Sequence, residues 1–391
     1  MGILPQDEKF PRRGEMSFAK RANLYGQLLS NYFSYYFGTG RPVLNGYLIV
    51  ALTYACNSRC VMCNIWKRYN DHPDERKKEL SCDEWLKCLS ETRLLKHVPK
   101  LNITGGEPFL KPGIRDFIRG LFALGDIQFI SIVTNGFMPE KELADITYIL
   151  EGIPKTKRLF IGVSMDGYGK AHDEMRGVAN GFEKAIQTLD GLLDLKKKYS
   201  QLETGAGAVI HPKNIDQLEE LEAFLKERNL PTGYEFNMEN FNLNNEGAAE
   251  GFTGNHMRKI NAIIDREIEQ RDCFLGARKW LSTGKRPLKC FAGYNTAFID
   301  PFGDVYPCIS ISNNKKFLMG NVRDKKLDDL WTSKKAWEVR GKNVKKCPYA
   351  FCWSGCEVEP SIVQNLLPEK RKLMSLFTGG RVDYYKKKGF L

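Results

Sequence analysis

Six short apolar runs, each followed by residues with helical periodicity, set the architecture of this 391-residue chain. The runs are Tyr47–Leu52, Lys100–Ile103, Gln128–Val133, Arg158–Val163, Thr204–Ile210 and Tyr234–Asn237. Between them, helices are expected over Ser81–Lys96, Gly113–Leu124, Glu140–Leu150, Gly181–Tyr199 and Asn214–Glu227, the first opened by a Ser81/Glu84 capping box. A strand that returns through a helix lies parallel to its neighbour, so the alternation spells successive βα units. Six strands are too few for a closed eight-stranded barrel. The expected fold is α/β, an open, partial (β/α)6 barrel over residues 45–240, with its site at the C-terminal ends of the strands.

Those strand ends carry the unusual residues. The first run is followed by Cys56, Cys60 and Cys63, a Cys-x3-Cys-x2-Cys loop. Iron–sulfur clusters are held by cysteine thiolates, and three ligands on a four-iron cube leave one iron open to a substrate or cofactor. A closed zinc site is the alternative, and it needs a fourth ligand nearby. The second run ends in Thr104-Gly105-Gly106-Glu107-Pro108, where two glycines let the backbone approach a ligand, and the third in Thr134-Asn135-Gly136. Eleven cysteines with a polar, proline-bearing start (Pro5, Pro11) and no secretory pattern point to a reducing, cytoplasmic setting. No apolar run approaches bilayer-spanning length.

The flanking regions read differently. Within an N-terminal segment, 1–44, residues 1–15 lack pattern and Met16–Phe37 reads as an amphipathic helix for packing on the body, on a membrane surface or on an apolar substrate. Residues 241–286 hold a connecting loop and a helix at Met257–Gln270; the Asn-, Gly- and Glu-rich stretch Glu239–Asn255 is a surface excursion or a substrate lid. Residues 287–363 gather Cys290, Cys308, Cys347, Cys352 and Cys356, with turn chemistry at Asp300–Asp304 between two strand-like runs, so Cys290 and Cys308 flank a hairpin. Cys82, Cys88 and Cys273 stand apart as small apolar residues. A basic tail, 364–391, closes a chain of net charge +12. That charge suits a solvated surface, an anionic substrate, an acidic redox partner or peripheral membrane contact. No basic run is interleaved with aromatics, so no nucleic-acid partner is expected.

Cys56-x3-Cys60-x2-Cys63 followed by Gly105-Gly106-Glu107-Pro108 resembles the radical S-adenosylmethionine (SAM) enzymes. The resemblance implies that SAM chelates the open iron of a [4Fe–4S] cluster, with Gly105, Gly106, Glu107 and Pro108 around its amino group. Ser164-Met165-Asp166-Gly167 with Arg176 looks like the subgroup pattern in which the serine and arginine hold SAM; a surface ion pair of Arg176 with Asp173 or Glu174 is the alternative. Met62 stands where the family commonly has an aromatic residue. The late cysteines resemble the SPASM/twitch extension, whose full pattern has seven cysteines and two clusters against five here. One auxiliary [4Fe–4S] cluster is implied, with Cys290, Cys308, Cys352 and Cys356 as ligands and Cys347 as the fifth candidate; structural zinc is the alternative.

The function expected is reductive SAM cleavage to a 5′-deoxyadenosyl radical that abstracts hydrogen, with an electron donor such as flavodoxin or ferredoxin. About 45 residues precede the barrel, short for a fused peptide-recognition domain, which tilts the expected substrate toward a small metabolite or lipid. A peptide-modifying maturase is the alternative. A non-catalytic iron–sulfur electron carrier ranks lower, having no use for Gly105–Pro108 or the Ser164/Arg176 pair.

Overall fold

Every expected apolar run forms a strand. In the computed structural model, which describes residues 18–238, 241–245, 251–268, 274, 276–347 and 352–366, β1 (Tyr47–Thr53), β2 (Lys100–Gly105), β3 (Phe129–Thr134), β4 (Arg158–Ser164), β5 (Leu202–Ile210) and β6 (Thr232–Phe236) lie side by side in chain order, all parallel. The sheet does not stop at β1. Three short strands, β7 (Ala297–Ile299), β8 (Asp304–Tyr306) and β9 (Gly320–Asn321), continue it, β7 parallel to β1 and the last two antiparallel. Asp300–Asp304 is indeed a hairpin turn, and its strands belong to the same nine-stranded sheet as the barrel.

The helices are α1 (Phe18–Phe37), α2 (Arg68–Asp71), α3 (Cys82–Ser90), α4 (Ile114–Ala123), α5 (Pro139–Gly152), α6 (Lys170–Arg176), α7 (Gly181–Lys198), α8 (Leu218–Glu227), α9 (Gly254–Glu267), α10 (Ala277–Thr283), α11 (Leu327–Thr332), α12 (Lys334–Glu338) and α13 (Gly355–Leu366). Two stop or start short of expectation, each for a local reason. After α3 ends at Ser90, Asp328 of α11 takes bonds from the Thr92 hydroxyl (2.5 Å) and the Arg93 N–H (3.0 Å), pulling the chain out of the helix. α8 begins at Leu218 rather than Asn214, because the Asn214 side chain donates to Val209 O (2.8 Å) and Asp166 O (2.9 Å), tying down the end of β5. α9 starts earlier than expected, at Gly254, capped by the Thr253 hydroxyl.

α1 packs on the body through Leu28, Asn31, Ser34 and Tyr35, all buried. Tyr35 stacks on Phe291 at 4.3 Å, and Asn31 brackets the backbone of Val43. Its opposite face leaves Leu29, Phe33, Tyr36 and Phe37 exposed. Among the described residues no helix is long and apolar enough to cross a membrane. Residues 1–15, Cys273 and the basic tail from 367 onward lie outside the described residues.

Side chains alternate along a strand, so the sheet has two faces. Leu48, Val50, Leu101, Ile103, Ile130, Ile132, Leu159 and Ile161 belong to the main core, with helix residues such as Ile118, Ile149 and Leu189. Phe129, Val133 and Phe160 form a separate cluster on the inner face. There Gly162 pairs with Gly205, Ser164 with Gly207 and Gly207 with Gly233, so the inside of the partial barrel is floored by very small residues.

Candidate active site

The three early cysteines lie on a loop lashed down on both flanks. Arg59 N donates to Arg176 O (2.9 Å) and Val61 N to Met175 O (3.0 Å) at the end of α6. On the other side Asn64 N donates to Leu243 O (2.8 Å), and Asn245 Nδ2 to Met62 O (2.9 Å). Residues 241–245, expected to belong to a lid or excursion, are thus a strap. The loop's root is fixed by Glu79, whose Oε1 accepts from the Thr53 hydroxyl and Tyr54 N (both 2.8 Å), while Oε2 pairs with buried Lys111 at 3.0 Å. Nothing local in the sequence marked Glu79; its partners come from three separate segments, Thr53 and Tyr54, Tyr69, and Lys111.

None of Cys56, Cys60 and Cys63 is in a disulfide. Burial pushes the Cys56 thiol up to about 12 and raises Cys63 as well, and the neighbouring cysteines' charges add to both. Buried, crowded thiols ionise together only against a cationic group, a condition that cluster iron meets. Among the described residues, no three His, Cys, Asp or Glu are arranged to hold a single metal ion, the arrangement a mononuclear zinc site requires. Three free cysteine thiols on one loop are the donor type that an iron–sulfur cubane takes.

Gly105 and Gly106 press the end of β2 onto this loop. Gly105 has φ +133°, and a Cβ there would stand 2.2 Å from Thr53 O; one on Gly106 would stand 2.3 Å from Ala55 O. Gly106 N donates to Thr53 O (2.7 Å) and Glu107 N to Ala55 O (2.8 Å). Pro108 is buried at the start of a short 3-10 turn. The Glu107 side chain turns inward: Oε1 accepts from Phe109 N (3.1 Å) and faces the Thr134 hydroxyl (3.0 Å), and Oε2 accepts from Asn135 N (2.8 Å). Its carboxylate therefore braces β3, leaving backbone, not side chain, at the rim. Asn135 in turn reaches the cysteine loop, donating to Asn57 Oδ1 (2.6 Å).

Arg176 is buried, and its partner is neither Asp173 nor Glu174. Its Nη2 lies 2.6 Å from Asp166 Oδ2, and its Nη1 3.7 Å from Cys60 Sγ. Asp166 is locked by Val209 N (2.7 Å to Oδ1), whereas Asp173 caps α7 through Asn180 N and Phe182 N (both 2.8 Å). The sequence-local alternative fails because the nearer acid is used as a helix cap. Ser164, at the end of β4, is buried. Met62 packs with Met175 and Val209 beside Cys60. A residue the sequence did not flag, His172, is fully buried beside this network; its Nδ1 accepts from Asp166 N (3.1 Å), and burial then the Arg176 charge lower it to about 3, so it is neutral.

The chain thus brings Cys56, Cys60, Cys63, Gly105, Gly106, Ser164 and Arg176 to one rim. The late cysteines stand apart, around the β7–β8 hairpin and α13. Cys82 and Cys88 are half-buried and donate to carbonyls, of Pro112 (3.1 Å) and Val322 (3.7 Å).

Residues 50–225 match the radical SAM superfamily, and residues 290–357 match SPASM, an iron–sulfur cluster-binding domain. The chain carries a radical SAM domain followed by a SPASM domain. Its SPASM domain implies auxiliary iron–sulfur clusters beside the [4Fe–4S] cluster and SAM of the barrel. The enzyme is 21% identical over 316 residues to the antilisterial bacteriocin subtilosin biosynthesis protein AlbA of Bacillus subtilis, covering 78% of this chain and 65% of that protein. The chain thus spans under two thirds of that relative's length. Among solved structures it is similar to Streptococcus suis SuiB bound to S-adenosylmethionine (TM-score 0.60, 18% identity, 91% of this chain and 81% of that one). It is also similar to anSMEcpe with bound AdoMet (TM-score 0.52, 17% identity, 86% and 100%).

Proposed function

We propose that this enzyme cleaves SAM reductively at the Cys56/Cys60/Cys63 rim and uses the resulting radical to take hydrogen from a peptide. The observation that carries the SAM reading is Arg176, whose one guanidinium reaches both Cys60 and Asp166 at the strand ends where Gly105 and Ser164 also arrive. When bound, a reduced cluster held by Cys56, Cys60 and Cys63 would supply one electron to the sulfonium of SAM, whose C–S bond would break to leave methionine and a 5′-deoxyadenosyl radical.

The protein's own residues bind and orient. Gly106 and Glu107 spend their N–H groups on β1 and its loop, so the Gly105 and Gly106 carbonyls are the acceptors left for an ammonium. The Ser164 hydroxyl and the Arg176 fork are donors suited to a carboxylate. Asp166 fixes the plane of Arg176, and the neutral His172 holds the Asp166 backbone. The glycine floor of β4–β6 leaves room inside the barrel for a substrate chain.

The peptide reading replaces the lean toward a metabolite or lipid. It is supported by the likeness, over 92% of this chain at TM-score 0.58, to SuiB bound to precursor peptide SuiA, and by anSMEcpe solved with Cp18Cys peptide. A flavodoxin- or ferredoxin-type protein is the proposed electron donor, and the basic surface suits an acidic one. Cys60→Ala is expected to abolish 5′-deoxyadenosine formation from SAM under a chemical reductant; persistent formation would sink the assignment. With wild-type enzyme, deuterium should pass from labelled peptides, not from labelled metabolites or lipids, into 5′-deoxyadenosine.

A further inference from the structure

α1 is built the wrong way round for a helix on the surface of a globular body. Such a helix ordinarily turns apolar residues inward and polar ones to water. Here the buried face carries Asn31 and Ser34 beside Leu28 and Tyr35, while the outward one carries Ala22, Gly26, Leu29, Phe33, Tyr36 and Phe37. Positions three and four apart are neighbours on a helix, so these six form one stripe, with exposed Asn23 at its margin. Leu29 is 44% exposed, Phe33 47%, Tyr36 42% and Phe37 63%; among the described residues the other large apolar side chains so exposed are Val61 and Tyr168, each alone. The stripe cannot roll inward. Turning α1 would unstack Tyr35 from Phe291 (4.3 Å), release Val43 from Asn31 and break the bond from Gln364 Nε2 to Leu28 O (2.5 Å).

The charge around the stripe has one sign. From Met16 to Asn70 the sequence contains no Asp or Glu. Arg41 is exposed just past the end of α1, and Lys345 Nζ bonds Tyr35 O (2.5 Å), which brings the segment with exposed Lys342 and Lys346 to the same end. α13 runs alongside through Gln364, so residues 367–391, with seven Lys or Arg against two acids, begin next to α1. A lone helix presents a convex ridge, which offers a partner chain no groove to fill. A second copy meeting α1 to α1 about a two-fold axis would set the same cations face to face. A bilayer with anionic headgroups suits both features: Leu, Phe and Tyr side chains enter the headgroup–acyl boundary, and Lys and Arg stay with the headgroups.

We propose that α1 seats the enzyme on an anionic lipid surface through Leu29, Phe33, Tyr36 and Phe37, lying in the plane of the interface without crossing it. This seat is independent of what the radical attacks, and its test needs no turnover. Full-length reconstituted enzyme is sedimented with vesicles of phosphatidylcholine alone and with vesicles of equimolar phosphatidylcholine and phosphatidylglycerol. It should partition onto the anionic vesicles at least about tenfold more strongly than onto the neutral ones, and added salt should weaken that binding. Phe33→Ser combined with Phe37→Ser should lower partitioning at least about tenfold while leaving the melting temperature and 5′-deoxyadenosine formation unchanged. Lys342→Glu combined with Lys346→Glu, which leaves the apolar stripe intact, should weaken binding to the anionic vesicles and not to the neutral ones. Wild-type enzyme that stays in the supernatant with both vesicles overturns the proposal, as does a Phe33/Phe37 double variant that sediments like wild type. A wild-type dimer that the same double variant converts to monomer also overturns it, because a second copy then covers the face.

Discussion

Arg176 does its work as a fork, and a fork is what lysine cannot replace. One nitrogen is committed to Asp166 and another points toward Cys60, so a carboxylate arriving at the rim meets a donor already oriented. Arg176→Lys keeps the charge but loses the plane. SAM affinity of the reconstituted enzyme should fall about 10–100-fold, the equivalent of about 1.4–2.7 kcal/mol; a change under about twofold in equilibrium binding would take Arg176 out of the SAM site. At this scale much of the site was legible. Cys56, Cys60, Cys63, Gly105 and Gly106 sit in short motifs whose chemistry depends on local spacing, and spacing is what a sequence states directly. Arg176 itself was legible, but its partner was not, because Asp173 and Glu174 are nearer along the chain while Asp166 is nearer in space. Glu79 and His172 carried no local signal.

Between elements, β2, β3 and α5 are joined by a carboxylate–hydroxyl–carboxylate chain. Thr134 Oγ1 lies 3.0 Å from Glu107 Oε1 and 2.9 Å from Glu142 Oε2, and it accepts from Gly136 N (3.0 Å). A hydroxyl has a single hydrogen, so it can donate to only one of the two acids. The other acid must carry a proton to complete the chain. Burial raises both carboxyl groups, and the Glu107 charge adds to the rise at Glu142. A carboxyl group whose pKa rises on folding binds protons more tightly folded than unfolded. Its contribution is complete in acid and is lost as pH climbs from the unfolded value of about 4.5 through the folded one. Glu142→Gln supplies a permanent amide donor to Thr134 while its oxygen can still accept from Met138 N. The variant should therefore lose less stability than wild type between about pH 6 and 9, ending about 1–3 kcal/mol ahead at the alkaline end. Parallel melting curves in the apo state check this, and identical pH slopes would dismiss the shared proton.

Elements were legible where periodicity is long enough to count. β1 to β6 and their helices have four or more residues of pattern, and their ends moved only where a side chain such as Asn214 claimed the backbone. β7 and β8, three residues each, were legible from the turn at Asp300–Asp304 rather than from alternation, and β9, two residues long, was not. α13 was hidden because Cys352 and Cys356 read as cluster ligands rather than as the approach to a helix and its first turn.

In the molecule as a whole, β1 is the strand paired on both edges by two different parts of the chain: β2 on one side and β7 on the other. Its amides should be among the slowest to exchange with deuterium, near the limit set by global unfolding, whereas β9, a two-residue edge strand, should exchange early. Fast exchange along Leu48–Val50 would show that the SPASM region opens independently of the barrel.

The same pairing has a consequence in the order of synthesis. Leu48 leaves the ribosome about 250 residues before its partner Ala297, an interval on the order of 10–50 s at usual elongation rates. For that time the strand bearing Cys56, Cys60 and Cys63 has one bare edge, and the strap from Leu243 and Asn245 does not exist for most of it. Iron and sulfide delivered to the nascent chain meet three open thiols; delivered later, they meet a loop already lashed down on both flanks.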